Sequence, residues 1–343
     1  MFRSILGIIA FILVISCQKD DIVVIPDKLL PILNIPVGFP TPEFPEDNEF
    51  TEERWRLGKK LFFDPIMSLD ESISCASCHL PAFAFSDTVA LSPGVNNAPG
   101  VRNSPSLANV VYQPYYIRDG GVPTLEMQVL VPIQEHNEFN FNILRIVDRL
   151  KVDTSYTRMS LETYEREPDP FVITRALATF ERSLISGNSR YDQYAFQGNK
   201  DVLSEQEIRG MDLFFGNRTN CIQCHQGFNF TNYSFENNGL YIDYSDPGRY
   251  RLTHDEYDLA RFKVPTLRNV EITAPYMHDG SLESLEEVVT HYNSGGKNHQ
   301  NKNEVIKPLG LSEQEVADIV SFLFTLTDTE FINNPHFAED RGQ

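Results

Sequence analysis

Two short segments of the sequence each place two cysteines three positions apart, with a histidine directly after the second. They are Cys75-Ala-Ser-Cys78-His79 and Cys221-Ile-Gln-Cys224-His225. Thiols at this spacing can each bond one vinyl group of the same porphyrin, and the adjacent histidine then serves as an iron ligand. A redox dithiol or a zinc site would also use paired cysteines. Two copies that both include the histidine favour two covalently bound c-type haems.

The fifth cysteine, Cys17, follows an apolar run that is too short to span a membrane. The run ends in Val14-Ile15-Ser16-Cys17, which resembles a bacterial lipoprotein cleavage site. We therefore expect residues 1–16 to be a signal peptide and Cys17 to carry lipid, which would hold the protein in the cell envelope, facing the periplasm or the cell surface. The alternative is a free cysteine in a transmembrane anchor. Residues 17–50 are rich in proline and predict an extended tether.

The composition fits a folded chain of two domains. The 343 residues are 41% hydrophobic, which is enough to build real cores. The formal net charge of −19 argues against a nucleic-acid partner, because binding nucleic acid needs a basic surface. An acidic surface instead favours solubility, or the docking of a partner with a basic patch.

An internal repeat accompanies the two cysteine segments. Residues 105–126, PSLANVVYQPYYIRDGGVPTLE, align without a gap on residues 265–286, PTLRNVEITAPYMHDGSLESLE. Leu61-Phe62-Phe63 likewise matches Leu213-Phe214-Phe215. The pattern predicts a duplicated haem domain whose halves then diverged. The expected parts are an N-terminal domain at 51–185, a C-terminal domain at 186–330 and a tail at 331–343.

Helix signals dominate between these landmarks. Ser204 with Glu207, and Ser312 with Glu315, form capping boxes before apolar positions at helical spacing. A comparable apolar stripe in the first half consists of Ile173, Leu177, Phe180 and Leu184. The polar segment from Ser186 to Asp201 marks the expected domain boundary. Because no stretch alternates convincingly for a sheet, the sequence predicts a mainly α fold.

The two CxxCH segments, the repeat and residues 262–281, FKVPTLRNVEITAPYMHDGS, together resemble the bacterial di-haem cytochrome c peroxidase family, which includes the MauG branch. The likeness covers about residues 50–330. It implies two cytochrome-c-like helical domains whose haems face a shared interface. One haem would react with hydrogen peroxide, and the other would pass in electrons from a small donor protein, a monohaem cytochrome c or a cupredoxin. Members of the family are often homodimers.

The resemblance also assigns residues to the reactive pocket. The pocket glutamine of the family falls on Gln128 and its catalytic glutamate on Glu138, both counted from Asp119-Gly120. Glu138 would move a proton from the inner to the outer oxygen of peroxide, and Gln128 would help to orient the peroxide. His79 and His225 would bind the two irons. Outside this family alignment, Glu138 would be taken for an ordinary solvated surface residue.

A capping histidine of the family is replaced here by Val95. In many members a histidine in the loop after the first haem blocks the iron until reduction releases it. The loop from Leu91 to Arg102 contains no histidine, and valine cannot bind iron. We therefore expect the first haem to be five-coordinate at rest and ready for peroxide.

The second haem also departs from the family pattern. The second ligand is often methionine, whereas the aligned position here is Tyr292, which is the ligand type of the MauG branch. Ser284 and Glu287 predict a helix start, and Tyr292 then lies on its apolar face. Tyr292 could equally be packed core, and Met277 is the rival ligand. His278 is expected at the haem interface.

Two further positions bear on the region between the haems. The family commonly has tryptophan where this chain has Arg118, and Trp55, the single tryptophan, lies elsewhere. The family also binds one Ca²⁺ between the domains, with ligands that map to the Asn103 side chain and the backbone carbonyls of Thr273 and Pro275. These oxygen types suit a hard cation, although an asparagine can equally cap a turn.

The sequence therefore predicts a di-haem peroxidase that reduces hydrogen peroxide. The alternatives are a MauG-like oxidase that uses peroxide to modify a protein side chain, and a non-enzymatic electron carrier with two six-coordinate haems. Tyr292 favours the oxidase, and Arg118 weighs against it. The missing ligand at Val95 argues against the carrier.

Overall fold

The computed structural model describes residue 29 and residues 32–340, and its fold is mainly helical, as the sequence predicts. The α-helices, in chain order, are α1 (Glu52–Phe63), α2 (Leu125–Gln128), α3 (Leu130–Gln134), α4 (Ile143–Val152), α5 (Thr154–Tyr164), α6 (Pro170–Arg182), α7 (Arg190–Ala195), α8 (Glu205–Phe215), α9 (Tyr250–Thr253), α10 (Leu285–Ser294), α11 (Glu313–Phe324) and α12 (Thr329–Ile332). Each CxxCH segment begins with a single 3₁₀ turn, at Cys75–Ser77 and at Cys221–Gln223.

The first half is built on the crossing of α1 and α6. A Cβ added to Gly58 of α1 would lie 1.9 Å from the carbonyl oxygen of Ala176 in α6, so only glycine permits this approach. Phe62 and Phe180 meet across the crossing, with ring centroids 5.0 Å apart. The predicted apolar stripe of α6 is buried in this core.

The second half repeats the same construction with α8 and α11. A Cβ added to Gly210 of α8 would lie 1.8 Å from the carbonyl oxygen of Asp318 in α11. Phe214 and Phe322 form the matching aromatic pair, with ring centroids 5.2 Å apart. The capping boxes predicted at the starts of α8 and α11 are both present. The two halves thus share one packing scheme.

A short antiparallel pair of strands, β1 (Phe235–Glu236) and β2 (Phe262–Lys263), lies in the second half. The sequence predicted no sheet. Two residues per strand are too few to show the alternation on which such a prediction rests. The pair connects two loops and does not form a layer.

The polar segment predicted as the domain boundary has a buried start and an exposed end. It contains α7, and Ser186, Ser189 and Asp192 are almost fully shielded from solvent, whereas residues 197–201 are exposed. The Asp328 carboxylate accepts a hydrogen bond from the backbone N–H of Gly187 at 2.9 Å, which ties the segment to the residues after α11. The start of the segment is therefore packed into the body of the protein.

The described part of the proline-rich segment packs against both halves. Phe39 lies 4.7 Å, centroid to centroid, from Phe228, and the Pro40 carbonyl accepts a hydrogen bond from the Tyr112 hydroxyl at 3.1 Å. Residues 32–50 are therefore attached to the body. The predicted signal peptide and Cys17 lie outside the described residues.

The C-terminal tail returns to the first half. Phe331 and Phe337 both contact Phe85, at centroid distances of 5.9 and 6.4 Å. Within residues 32–340, no helix is long and apolar enough to cross a membrane.

Candidate functional site

A cavity of about 850 Å³ lies between the two halves and is lined by both CxxCH segments. All four cysteines of these segments are free thiols. Their side chains line the same cavity as His79 and His225. The donor set of two thiols and one histidine in each segment therefore fits one porphyrin at each CxxCH segment.

Backbone carbonyls hold the two histidine rings in matching orientations. His79 Nδ1 lies 2.8 Å from the Phe85 carbonyl oxygen, and His225 Nδ1 lies 3.0 Å from the Phe230 carbonyl oxygen. Because a carbonyl can only accept, Nδ1 donates in each case and Nε2 stays available to a metal. Burial lowers the pKa of both rings, which favours the neutral form that binds iron.

Gln128 supplies a buried oxygen without a partner. Its side chain lines the cavity beside the first CxxCH segment, and Oε1 accepts no hydrogen bond from the described residues. Buried polar atoms are usually paired, so this oxygen indicates a polar ligand in the cavity. A buried amide oxygen that is free to accept a hydrogen bond is suited to orienting a small substrate with an O–H group.

Glu138 also lines the cavity, close enough to Cys75 and Cys78 for its charge to add to the effect of burial, which raises the pKa of their thiols. Burial, together with the nearby charge of Glu135, raises the pKa of Glu138 to about 7. A carboxyl group with such a pKa can take up and release a proton near neutral pH. The structure thus brings the two predicted pocket residues to one cavity.

The backbone of Val95 is hydrogen-bonded to the loop that contains Glu138. The backbone N–H of Val95 donates to the Glu138 carbonyl at 3.0 Å, and the Val95 side chain is 1% exposed. A Cβ added to Gly94 would lie 2.1 Å from the Asn137 carbonyl oxygen, so the two loops touch along their backbones. Five-coordination of the first iron remains a prediction, and the residue on which it rests is buried and hydrogen-bonded to the backbone of Glu138.

On the other side of the cavity, Tyr292 and Met277 both line the region near the second CxxCH segment. The capping box predicted at Ser284 starts α10, which carries Tyr292. Burial raises the pKa of the Tyr292 phenol to about 12. Asn238 Nδ2 donates to Met277 Sδ at 3.2 Å. The structure brings both candidate ligands together, and the choice between them remains a prediction.

His278 lies where the two halves meet. Its ring stacks on Phe262 with centroids 4.2 Å apart and an interplanar angle of 23°. Its carbonyl oxygen accepts a hydrogen bond from the backbone N–H of Asn103 at 2.9 Å. His278 therefore reaches the first half through its backbone carbonyl, while its ring packs within the second half.

The side-chain oxygen predicted to bind calcium is already engaged by a cation. Asn103 Oδ1 accepts a hydrogen bond from Arg118 Nη2 at 2.7 Å, and the Asn103 carbonyl accepts from Arg118 Nε at 2.8 Å. Thr273 and Pro275 line the same cavity. Calcium binding remains a prediction, and in this arrangement Arg118 competes for one of its three predicted ligands.

Glu181 of α6 is a buried carboxyl group at the cavity that was not predicted from the sequence. It lines the cavity, is 8% exposed, and burial raises its pKa to about 8. Glu181 lies four residues after Leu177, within the apolar stripe. A carboxyl group at a core position of an apolar stripe is the signal that could have revealed it.

Comparisons with known proteins agree with this geometry. A family model described as di-haem cytochrome c peroxidase matches residues 52–201. The methylamine utilization protein MauG of Methylorubrum extorquens is 37% identical over 82% of this chain and 80% of its own. Cytochrome c551 peroxidase of Nitrosomonas europaea is 32% identical over 82% of this chain and 81% of its own. The crystal structure of a MauG-like protein associated with microbial copper homeostasis superposes with a TM-score of 0.84 at 34% identity, covering 90% of this chain and 98% of that one.

Proposed function

The chain belongs to the di-haem cytochrome c peroxidase family, and from this membership we propose that it reduces hydrogen peroxide to water with electrons from a small redox protein. The observation that carries the proposal is the cavity that both CxxCH segments line together with Gln128 and Glu138. Relatives named as cytochrome c peroxidases favour an enzyme over a simple electron carrier.

The residues of the two CxxCH segments would hold the haems. Cys75, Cys78 and His79 would hold the first, and Cys221, Cys224 and His225 the second. When bound, the haems supply an iron site for peroxide and a redox centre for the incoming electrons. The free thiols support covalent attachment. The shared packing of Gly58 and Gly210 supports an origin of the halves by duplication.

Glu138 performs the acid–base chemistry. Its carboxylate accepts the proton of the inner peroxide oxygen and returns it to the outer oxygen, so that the leaving group departs as water. A pKa of about 7 suits both steps near neutral pH. The backbone hydrogen bond from Val95 fixes the loop that carries this carboxylate.

Gln128 orients the substrate. Its unpartnered Oε1 accepts the hydrogen bond of the outer peroxide O–H, and its amide nitrogen is available to donate. A hydrogen bond from peroxide would satisfy this buried oxygen, which favours binding in this orientation.

A second function, a MauG-like oxidase acting on a protein side chain, has one specific observation in its favour. MauG of Methylorubrum extorquens is more similar to this chain than the Nitrosomonas peroxidase is, at 37% against 32% identity. Tyr292 near the second CxxCH segment agrees with that branch. Arg118, where the family commonly has tryptophan, argues for the peroxidase.

The lipid anchor at Cys17 and an envelope location complete the proposal, and both rest on the sequence of the N-terminal segment. Cys17→Ser should shift the protein from the membrane fraction to the soluble fraction. The same protein remaining in the membrane fraction would argue for another anchor.

The activity is tested by stopped-flow mixing of the ferric protein with peroxide, followed by reduced monohaem cytochrome c or reduced cupredoxin. Multiple turnovers of peroxide with oxidation of the small donor support the peroxidase. A single turnover that ends in a covalently modified partner protein, detected by mass spectrometry, supports the oxidase. No reaction with peroxide contradicts both.

A further inference from the structure

We propose that Arg118 is a built-in cation that takes the place of an interdomain calcium ion, so that the two halves of this protein are joined without a metal. The proposal concerns how the halves are held together, and it does not depend on the peroxidase activity. It rests on the contacts of Arg118 and on the charges around it.

Arg118 occupies both oxygens of Asn103. Its Nε donates to the Asn103 carbonyl at 2.8 Å and its Nη2 donates to Asn103 Oδ1 at 2.7 Å. Carbonyl and amide oxygens are the atoms that a calcium ion takes as ligands. Here the planar guanidinium engages both from one side, in the fork geometry that is specific to arginine. A cation is therefore already bound to Asn103 Oδ1, the one side-chain oxygen that the sequence assigned to calcium.

The Arg118–Asn103 pair is also connected to the second half of the chain. The backbone N–H of Asn103 donates to the His278 carbonyl at 2.9 Å, and the backbone N–H of Lys263 donates to the Arg118 carbonyl at 2.7 Å. Asn103 is only 5% exposed. Arg118 thus lies at a buried junction that connects residues from both halves.

The surrounding charges leave no need for a divalent ion. Arg102 bridges the halves, with Nη1 2.6 Å from Asp119 Oδ2 and Nε 2.6 Å from Asp246 Oδ2. Asp119 is completely buried, and Arg251 reaches it from the surface. Three carboxylates, those of Asp119, Asp246 and Asp279, therefore face three guanidinium groups, counting Arg118. A calcium ion beside Asn103 would add two positive charges where these groups already balance, in a region of low dielectric.

Arg118 connects two features of this chain, the lack of the tryptophan that is common in the family and the proposed lack of a calcium ion. Arg118 stands where tryptophan is common, and its side chain engages the asparagine that would otherwise ligate calcium. A neutral tryptophan cannot fill that role, because it carries no positive charge and has a single N–H donor. Arg118 therefore supplies a permanent positive charge at an asparagine that could otherwise bind an exchangeable cation.

The first test is the metal content and the thermal unfolding of the full-length protein with both haems attached. The wild type, purified from calcium-containing medium, should hold substoichiometric calcium by mass spectrometry of the metals. Its melting temperature and haem absorption should be unchanged by a chelator. Equimolar calcium that survives buffer exchange, or a melting temperature that falls when chelator is added, would overturn the proposal.

The second test compares Arg118→Met with Arg56→Met, a control that removes an exposed arginine of α1. Arg118→Met frees the Asn103 oxygens, so its melting temperature should fall in chelator and recover in excess calcium. Arg56→Met should show neither effect. A fall that calcium does not reverse, or no fall at all, would contradict the proposal. If Arg118→Met does not fold, the metal content and chelator measurements on the wild type still test the proposal.

Discussion

Glu138→Gln tests the acid–base role of the carboxylate most sharply. The substitution keeps the size of the side chain and its place on the loop that Val95 supports, but it removes the group that carries the proton. Both haems should remain attached, because none of the haem-binding cysteines or histidines is touched. The rate of peroxide reduction should nevertheless fall strongly.

The magnitude follows from general acid–base catalysis. A positioned proton carrier contributes about 10²–10⁴-fold to a rate, which corresponds to about 2.7–5.4 kcal/mol of barrier. The assay is stopped-flow reduction of peroxide with the donor in excess, at fixed haem content. Turnover within a factor of about two of the wild type, far below the range for a proton carrier, would remove Glu138 from the mechanism.

The pH profile gives an independent check on the same residue. The carboxylate must be ionised to accept the first proton, so the wild-type rate should fall as the pH drops below about 7, the pKa of Glu138. Glu138→Gln should lose this limb. Glu135→Gln is the matched control, because it removes the neighbouring charge that helps to raise that pKa, and it should move the limb to lower pH. If the fall in rate at low pH persists in Glu138→Gln, a group other than Glu138 causes it.

The raised pKa of Glu138 also affects stability. The folded protein binds this proton more tightly than the unfolded chain does, so the contribution to stability is present at low pH and is lost as the pH rises through about 7. Glu138→Gln should therefore lose less stability than the wild type when the pH is raised from 5 to 8, as measured by denaturant unfolding.

Three further substitutions test the scaffold. Gln128→Leu removes the buried oxygen that would orient peroxide, so it should slow the reaction with peroxide while leaving the haem-to-protein ratio unchanged in the absorption spectrum. Arg182→Met leaves the buried Glu126 carboxylate without the guanidinium that lies 2.6 Å from it. The free energy of unfolding should fall by about 3–5 kcal/mol at neutral pH. This difference should shrink in acid, because Glu126 then takes up a proton. Gly210→Ala pushes a methyl group into the Asp318 carbonyl and should lower the melting temperature without changing the haem-to-protein ratio; an unaltered melting temperature would contradict the close crossing.

Local sequence signals were sufficient for much of the fold. The capping boxes at Ser204, Ser284 and Ser312 each start a helix, because their hydrogen bonds form within four residues and do not depend on the rest of the chain. The spacing within each CxxCH segment is local in the same sense. Such features can be predicted because their physics is contained in a few consecutive positions.

The features that escaped prediction depend on contacts distant in sequence. The segment after Ser186 looks like a polar linker, but Asp328 accepts its backbone N–H groups from a distance of about 140 positions in the chain. Glu181 lies within an apolar stripe of the sequence, and only the three-dimensional structure shows that its side chain lines the cavity. The pairing of Arg118 with Asn103 joins two loops whose approach no pattern in the sequence encodes.

The central prediction is that the iron bound by His79 would be open to peroxide, because the sequence has Val95 where many members of the family have a capping histidine. The most direct measurement is the electron spin resonance spectrum of the resting, fully oxidised protein, followed by mixing with peroxide without prior reduction. The account predicts a high-spin ferric signal from one of the two haems and a rapid reaction with peroxide. Two low-spin haems, and a reaction that starts only after one-electron reduction, would contradict it.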